Sequence, residues 1–393
     1  MAVFVERELG SKAIFSRFGK QIKDGKAKFK LKSIFKDHWT DFIDDNPTLE
    51  IRNVVHKNVD KLIKCATPAL GLRIYKCDTC DNEHFHGNTC KSRFCSSCGV
   101  VYNENRSNNI LKKIFNYKHR HVVFTIPSEL RKYFREDRKR LNILFQAVND
   151  TITFMFYKRH KNRLTPAFIS TLHTFGRSLV WNPHIHVVLL EAGLSDNNFV
   201  KLNFFNYASF RKSFMKVVLD LLSEDYSLKK DKEFKELKNY LYQTYTDGFY
   251  VYAPPNKFKQ IKEAILYITR YVGRPVMAES RILDYDGEYV TFWYERHDDK
   301  KLVIEKIEVY DFIKRLIIHI PNEQFKMIRY YGAYCKKHPF SDKVFKLLNS
   351  SAIWTMKQLS NWKMRIYYYF NRDILECEKC NGNMVFMEYM FIT

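Results

Sequence analysis

Two histidines flank one isoleucine in the segment VWNPHIHVVLLEAG, which runs from Val180 to Gly193. The residues after them are apolar, which predicts a buried strand. Side chains two residues apart in a strand point the same way, so His184 and His186 share one face. Two imidazoles on one face can bind one metal ion, yet buried histidines also serve simply as hydrogen-bonding partners of the backbone. The pair by itself leaves both roles open.

A third histidine is available if two predicted strands pair. When residues 172–175 and 184–187 form a hairpin with its turn near Ser178 and Leu179, His173 lies opposite His184 on the same face. The hairpin therefore predicts a three-imidazole site.

Two tyrosines form another pair with helical spacing. Residues 258–272 read as a helix that ends before Gly273 and Pro275. Tyr267 and Tyr271, four residues apart, would lie on one side of it. Because the chain has 25 tyrosines, such pairs arise often, and the pair alone indicates packing.

Nine cysteines cluster at short spacings, which favours metal thiolates over disulfides. Two C-x2-C pairs, Cys77 with Cys80 and Cys95 with Cys98, are separated by fourteen residues and predict a tetrahedral zinc site. Four ligands leave no open position, so this zinc would be structural. Alternative sets use Cys90, or Cys65 with a second ion. Nearby basic residues that suit phosphate contact include Lys91 and Arg93.

Another pair, Cys377 and Cys380, lies close to the end of the sequence. Cys335 and His338 offer a C-x2-H partner, which would give a second zinc site. The alternative is that these cysteines are merely reduced thiols.

Charge and hydropathy limit the functional classes. The chain has 66 Lys and Arg against 43 Asp and Glu, a net charge of +23, which favours a polyanionic partner such as nucleic acid. The excess of Lys, Asn, Ile, Phe and Tyr would also follow from A/T-rich coding, which weakens that inference. No run of 18 uncharged apolar residues and no cleavable leader is found, so we expect a cytoplasmic, nucleoid-associated protein of bacterial type without membrane contact.

The periodicity of the chain predicts an α+β fold with an antiparallel sheet. Strands are expected over 121–127, 168–175, 184–190 and 248–254, with helices over 141–155 and 210–222. Asp286 and Gly287 mark a hairpin within 282–294. The lysine-rich stretch from Lys20 to Lys36 is expected to lie outside any core.

Taken together, these motifs resemble the two-tyrosine HUH (His-hydrophobe-His) class of rolling-circle insertion-sequence transposases. The likeness includes His184-Ile-His186, the Tyr267-x3-Tyr271 helix with Arg270 and Arg274, the segments 172–179, 274–281 and 318–332, and a zinc-binding region of the same C-x2-C build. It covers residues 50–390.

The resemblance implies an HUH-endonuclease-like antiparallel sheet flanked by helices. It also implies that the chain is divided into four regions. These are a basic N-terminal arm or helical adaptor (1–48), a zinc-binding, DNA-binding domain (49–115), a catalytic nuclease domain (116–300, with an insertion at 228–246), and a helical C-terminal region with a second zinc site (301–393).

It also implies a metal-dependent endonuclease and strand transferase acting on single-stranded DNA of transposon ends and target. Mg²⁺ or Mn²⁺ would be held by His184 and His186, with His173, Glu263 or Gln260 as the third ligand. Tyr267 or Tyr271 would form a 5′-phosphotyrosine, and Arg270 and Arg274 would bind the DNA backbone. The order in which the tyrosines act, and whether the protein is a monomer or a dimer, stay open.

Two readings compete with this one. The chain could be a DNA- or RNA-binding protein that zinc stabilises and whose histidines and tyrosines are structural. Alternatively, it could be a metal-dependent hydrolytic phosphodiesterase. Only the transposase predicts a covalent protein–DNA adduct.

Overall fold

A computed structural model describes residues 27–111, 113–115, 117–159, 164–195, 198–201, 206–253, 275–296, 299–335, 361, 363–364, 367, 373 and 375–391. The described chain has an α+β fold in which helices flank antiparallel sheets, as predicted. None of the described helices combines the length and the apolar character that a membrane span requires.

The α-helices are α1 (Leu31–Asp44), α2 (Asn53–Lys64), α3 (Ser96–Leu111), α4 (Arg131–Glu136), α5 (Leu141–Arg159), α6 (Tyr207–Glu224), α7 (Tyr226–Lys229), α8 (Lys232–Thr244) and α9 (Val309–Ile317). Short 3-10 turns span Pro68–Leu70, Ser128–Leu130, Arg138–Arg140 and Glu279–Arg281.

The strands are β1 (Leu72–Cys77), β2 (Glu83–Gly87), β3 (His119–Thr125), β4 (Ala167–Phe175), β5 (Trp181–Leu190), β6 (Ala192–Ser195), β7 (Asn198–Lys201), β8 (Val251–Tyr252), β9 (Ile282–Tyr285), β10 (Tyr289–Glu295), β11 (Leu302–Glu308), β12 (Ile328–Gly332) and β13 (Met384–Met390).

The central sheet has the order β12-β4-β5-β3-β8, and every neighbouring pair is antiparallel. Its middle strand, β5, carries the two histidines. One face packs against α4, α5, α6 and α8 in the main core, where Phe145 and Phe214 are fully buried. α6 can begin at Tyr207 because the Asn206 side chain accepts a hydrogen bond from the Ser209 amide.

A second core forms between α1, α2, α9 and the sheet of β9, β10 and β11. The predicted hairpin joins β9 to β10, and Gly287 has a φ of +99°, a conformation that glycine adopts without steric cost. The carboxylate of Asp286 accepts hydrogen bonds from the amides of Glu288 and Tyr289.

The lysine-rich stretch differs from the expectation. Leu31, Ile34 and Phe35 are fully buried in the second core. Helical periodicity places these side chains on one side of α1 and leaves Lys36 exposed on the other, so the lysines do not prevent burial.

The predicted insertion and the C-terminal region also differ in part. α7 and α8 are helical as expected, but Leu228, Phe234 and Leu241 are buried in the main core. The described part of residues 301–393 contains α9 and three strands, β11, β12 and β13. Two of these strands join distant parts of the chain, since β12 pairs with β4 and β13 with β1.

Candidate active site and metal centres

A row of histidines lies on the face of the central sheet opposite the main core. In β5 the odd-numbered residues Ile185 and Val187 pack in that core, so His184 and His186 face away from it. In β4 the even-numbered Leu172 packs in the main core, so His173 points to the opposite face of the sheet, where His184 and His186 lie. Strand alternation thus gathers imidazoles from neighbouring strands on one surface.

His173, His184 and His186 form a three-histidine cluster, which we call the histidine triad. One nitrogen from each ring lies within 4.8 Å of the others. The Nε2 atoms of His184 and His186 are 3.0 Å apart. His173 pairs directly with His184 across the β4–β5 hairpin, so the predicted register is confirmed.

Two hydrogen bonds orient the rings of the H-x-H motif. Nδ1–H of His184 donates to the Asn182 carbonyl oxygen at 2.6 Å, which leaves Nε2 with its lone pair. Nδ1 of His186 lies 2.8 Å from Nε2 of His121 on β3. The tautomer in which His186 Nδ1 donates to His121 frees the second Nε2 for a cation as well.

His121 was not identified from the sequence. It belongs to His119-Arg120-His121, a second H-x-H on a predicted strand. That pattern becomes informative only once β3 is known to pair with β5.

Burial keeps these imidazoles neutral. It lowers the pKa of His184 to about 4, and the nearby positive charge of Arg131 acts in the same direction. Burial, with the neighbouring His184, lowers the pKa of His121 to about 4. The pKa of His186 also lies well below its ordinary value, first because of burial and then because of the other histidines. Neutral imidazole is the form that binds metals, so the donor set fits a divalent cation.

A buried histidine supports the turn that leads into the H-x-H strand. Leu179 has a φ of +66° and is fully buried in the second core. His319 Nε2–H donates to the Leu179 carbonyl oxygen at 2.9 Å, and the His319 ring stacks on Trp181. Arg138 lies over the Trp181 ring and donates to the Ile318 carbonyl oxygen. These contacts hold the β4–β5 hairpin in place.

Arg131, at the start of α4, brings positive charge to the triad. Its Nε is buried and meets no hydrogen-bond partner in the described parts of the chain. Its carbonyl oxygen accepts from Trp181 Nε1 at 3.1 Å, which fixes the backbone beside β5. Sequence reasoning did not identify this residue.

Several predicted site residues lie outside the described residues. They are the nucleophile candidates Tyr267 and Tyr271, the alternative metal ligands Glu263 and Gln260, the phosphate-binding candidates Arg270 and Arg274, and His338.

Eight of the nine cysteines form two four-thiol groups. The first, which we call zinc cluster 1, comprises Cys65, Cys90, Cys95 and Cys98. Sulfur–sulfur distances within it are 3.6–3.7 Å. Cys65 directly follows α2, Cys95 directly precedes α3, and Cys98 lies in the first turn of α3. The second, zinc cluster 2, comprises Cys77, Cys80, Cys377 and Cys380.

This grouping differs from the sequence-based pairing of Cys77 and Cys80 with Cys95 and Cys98. β1 lies in one sheet with β13, so its C-x2-C pair meets the C-x2-C pair that precedes β13. Cys65 and Cys90, considered only as alternatives, complete the site of Cys95 and Cys98. Cys335 follows β12 and belongs to neither cluster.

The predicted phosphate-binding residues lie beside zinc cluster 1. Lys91 is exposed and follows Cys90 directly. Arg93 is half-buried near Tyr102 and Arg106, and the Arg106 guanidinium lies over the Tyr102 ring at 5.4 Å. Basic and aromatic groups together on one helix suit contact with nucleic acid.

Comparison with known proteins supplies the family. Residues 34–126 match a family model described as "Transposase zinc-binding domain", and residues 167–341 match one described as "Putative transposase". The chain belongs to this transposase family. The first match contains all of zinc cluster 1, and the second contains the whole histidine triad.

Curated relatives agree with these matches. The transposase for insertion sequence element IS801 of Pseudomonas savastanoi pv. phaseolicola is 26% identical over 352 residues, covering 86% of this chain and 84% of that protein. A Sinorhizobium fredii (strain NBRC 101917 / NGR234) protein described as "Putative transposase y4qJ" is 27% identical over 286 residues, covering 68% of this chain and 71% of that protein. No solved structure matches this transposase.

Proposed function

We propose that this transposase nicks single-stranded DNA at the ends of its element and transfers the strand to a target through a covalent tyrosine intermediate. The observation that carries the proposal is the histidine triad on the central sheet, with three imidazole nitrogens within 4.8 Å and two of them oriented by hydrogen bonds. A site of neutral imidazoles next to Arg131 suits a reaction at a phosphate.

His173, His184 and His186 would hold the divalent cation, Mn²⁺ or Mg²⁺. When bound, the cation would polarise the scissile phosphate and stabilise the charge that develops on it. Arg131 would add positive charge near the triad, since its charge also lowers the pKa of His184.

Tyr267 or Tyr271 would act as the nucleophile. The phenol oxygen attacks phosphorus and loses its proton, the bond from phosphorus to the 3′-oxygen breaks, and the 3′-oxygen takes up a proton. The products are a 5′-phosphotyrosine and a free 3′-OH. The 3′-OH of another strand can then attack the phosphotyrosine, which forms a new phosphodiester bond and releases the tyrosine. The reaction therefore needs no ATP.

Lys91, Arg93, Arg270 and Arg274 would hold the DNA backbone through charge-assisted hydrogen bonds. Zinc cluster 1 would bind structural zinc, since four thiolates leave no position for a substrate. This assignment agrees with the match of residues 34–126 to the transposase zinc-binding domain.

The decisive experiment is incubation with labelled single-stranded DNA from the flanks of the gene and Mn²⁺, followed by denaturing electrophoresis. We expect a protein–DNA adduct that survives denaturation. His186→Ala should abolish it because a metal ligand is lost, and Tyr267→Phe combined with Tyr271→Phe should abolish it because the nucleophiles are lost.

His84→Ala is the matched control, since His84 lies on β2 outside the triad and should leave the adduct unchanged. Cleavage to a free 5′-phosphate in the double tyrosine variant would instead indicate a hydrolytic phosphodiesterase. DNA binding without any cleavage by the unaltered chain would indicate a non-covalent DNA-binding protein.

A further inference from the structure

Zinc cluster 2 brings together cysteines that are about 300 residues apart in the sequence. The Cys77 and Cys380 sulfurs are 3.4 Å apart, and those of Cys80 and Cys377 are 3.7 Å apart. A disulfide requires ~2.05 Å, so these are thiol contacts. Four sulfurs at ~2.3 Å from a tetrahedral zinc are separated by ~3.8 Å, which is close to the spacing observed.

The two C-x2-C segments fold into matching turns. The amide of Cys77 donates to the Asn82 carbonyl oxygen, and the amide of Cys377 donates to the Gly382 carbonyl oxygen, both at 2.8 Å. Each segment therefore closes a turn of the same length over its own cysteine pair.

The residues that follow the second cysteine of each turn also correspond. Asp81 has a φ of +56° and Asn381 a φ of +59°, a left-handed conformation that Asp and Asn tolerate better than most residues. Amides point at sulfur in both turns, because Thr79 donates to Cys77 and Gly382 donates to Cys380, each at 3.4 Å. Amide hydrogen bonds to sulfur stabilise the thiolate form that a metal needs.

The sheet around these turns has little apolar core of its own. Its buried side chains are Ile74, Cys77, Cys377 and Met384, with Tyr75 and Leu375 partly buried. Residues 385–390 of β13 are exposed even though the strand pairs with β1 along its length. So few buried side chains would scarcely hold a three-stranded sheet together, and small folds of this kind usually depend on a metal.

We propose that Cys77, Cys80, Cys377 and Cys380 bind a second zinc ion that joins two segments about 300 residues apart into one zinc ribbon. The ribbon consists of β2, β1 and β13, and the intervening residues form the rest of the fold. This site goes beyond the match to the transposase zinc-binding domain, which ends at residue 126 and does not contain the second cysteine pair.

Zinc content of the purified full-length protein tests the proposal. With one ion per four-thiol cluster, we expect two thiolate-bound zinc ions per chain. Cys77→Ser with Cys80→Ser should lower the content to one, and so should Cys377→Ser with Cys380→Ser. The variant with all four changes should also retain one ion, because both pairs bind the same metal.

Cys335→Ser is the matched control and should keep both ions, because Cys335 belongs to neither cluster. Unchanged zinc content after Cys377→Ser with Cys380→Ser would overturn the proposal. Loss of both ions from the variant with four changes would overturn it too, since the pairs would then serve separate sites.

A substitution that preserves the site addresses variants that fail to fold. Cys380→His replaces sulfur by an imidazole nitrogen, which zinc also accepts in tetrahedral sites. We expect this variant to keep both ions and, when loaded with Co²⁺, to show the spectrum of one four-thiolate site and one three-thiolate, one-imidazole site. Two unaltered four-thiolate spectra would exclude Cys380 as a ligand.

Discussion

The two imidazoles of the H-x-H motif are held by different kinds of partner. The backbone carbonyl of Asn182 sets the tautomer of His184, because a carbonyl can only accept. His186 depends on another imidazole, His121, which can either donate or accept. If both Nε2 atoms served as metal ligands, His186 would have to donate from Nδ1, and His121 would then be the acceptor.

This dependence makes His121 a positioning residue. His121→Ala should weaken Mn²⁺ binding by roughly 10- to 100-fold, the usual effect of losing a hydrogen-bond partner of a ligand histidine. Mn²⁺ titration followed by electron paramagnetic resonance measures this affinity. His121→Gln, whose side-chain oxygen can still accept, should recover part of the loss.

His119→Ala provides the control for general loss of packing. His119 lies two residues away on β3 and is also buried, but its ring bonds to the Tyr117 carbonyl oxygen and the Tyr334 hydroxyl. Equal losses of Mn²⁺ affinity in His119→Ala and His121→Ala would contradict a specific role for His121.

At the level of elements, local sequence patterns predict the strands, turns and hairpins that form between residues close together in the chain. Strand alternation and the turn near Leu179 correctly place His173 opposite His184. Pairings between distant segments are not encoded locally, so β1 with β13 and β4 with β12 could not be derived. The cysteine grouping failed for the same reason, because the partners of Cys77 and Cys80 lie about 300 residues away.

A partly buried ion pair joins the turn before α5 to the start of α7. Arg140, at the end of a 3-10 turn before α5, is 7% exposed and donates to both carboxylate oxygens of Asp225, at 3.1 and 3.3 Å. Asp225 also caps α7 through the Ser227 amide. Asp225→Asn should keep the cap but leave the guanidinium without its anion, which should cost about 1–3 kcal/mol in the free energy of unfolding.

The stability lost in Asp225→Asn depends on pH. Hydrogen bonding from Arg140 lowers the pKa of Asp225 from 3.8 to about 2. Its contribution to stability is therefore fully present above the unfolded pKa and is lost as pH falls towards about 2. Urea unfolding should show the gap between the unaltered chain and Asp225→Asn narrowing below about pH 4.

Asp231→Asn is the control for the cap itself. Asp231 caps α8 by accepting from the Phe234 amide, and asparagine can take over that role. We expect a change of a few tenths of a kcal/mol at most. A loss as large as that of Asp225→Asn would show that the capping function, rather than the ion pair, matters.

At the scale of the whole molecule, zinc cluster 1 is part of the second core rather than an appendage. Cys65, Cys95 and Cys98 are buried there with side chains of α1, α2 and α9. Leu179, at the turn of the β4–β5 hairpin, is buried in the same core. Zinc cluster 1 is therefore connected to the histidine triad through Leu179 and the β4–β5 hairpin, although the triad lies on another sheet.

This connection predicts that damage to zinc cluster 1 reaches the candidate active site. Cys98→Ser should weaken the packing around Leu179, so that amides of α1 and of residues 176–182 exchange hydrogen faster and Mn²⁺ binding weakens. Hydrogen–deuterium exchange with mass spectrometry measures the first effect and Mn²⁺ titration the second.

Cys380→Ser is the matched control, because zinc cluster 2 packs in a separate small core, and its effects should stay within β1, β2 and β13. Equal exchange in both variants around Leu179 would mean that the two metal centres are not independent, whereas unchanged Mn²⁺ affinity in Cys98→Ser would show that the hairpin holds its shape without the second core.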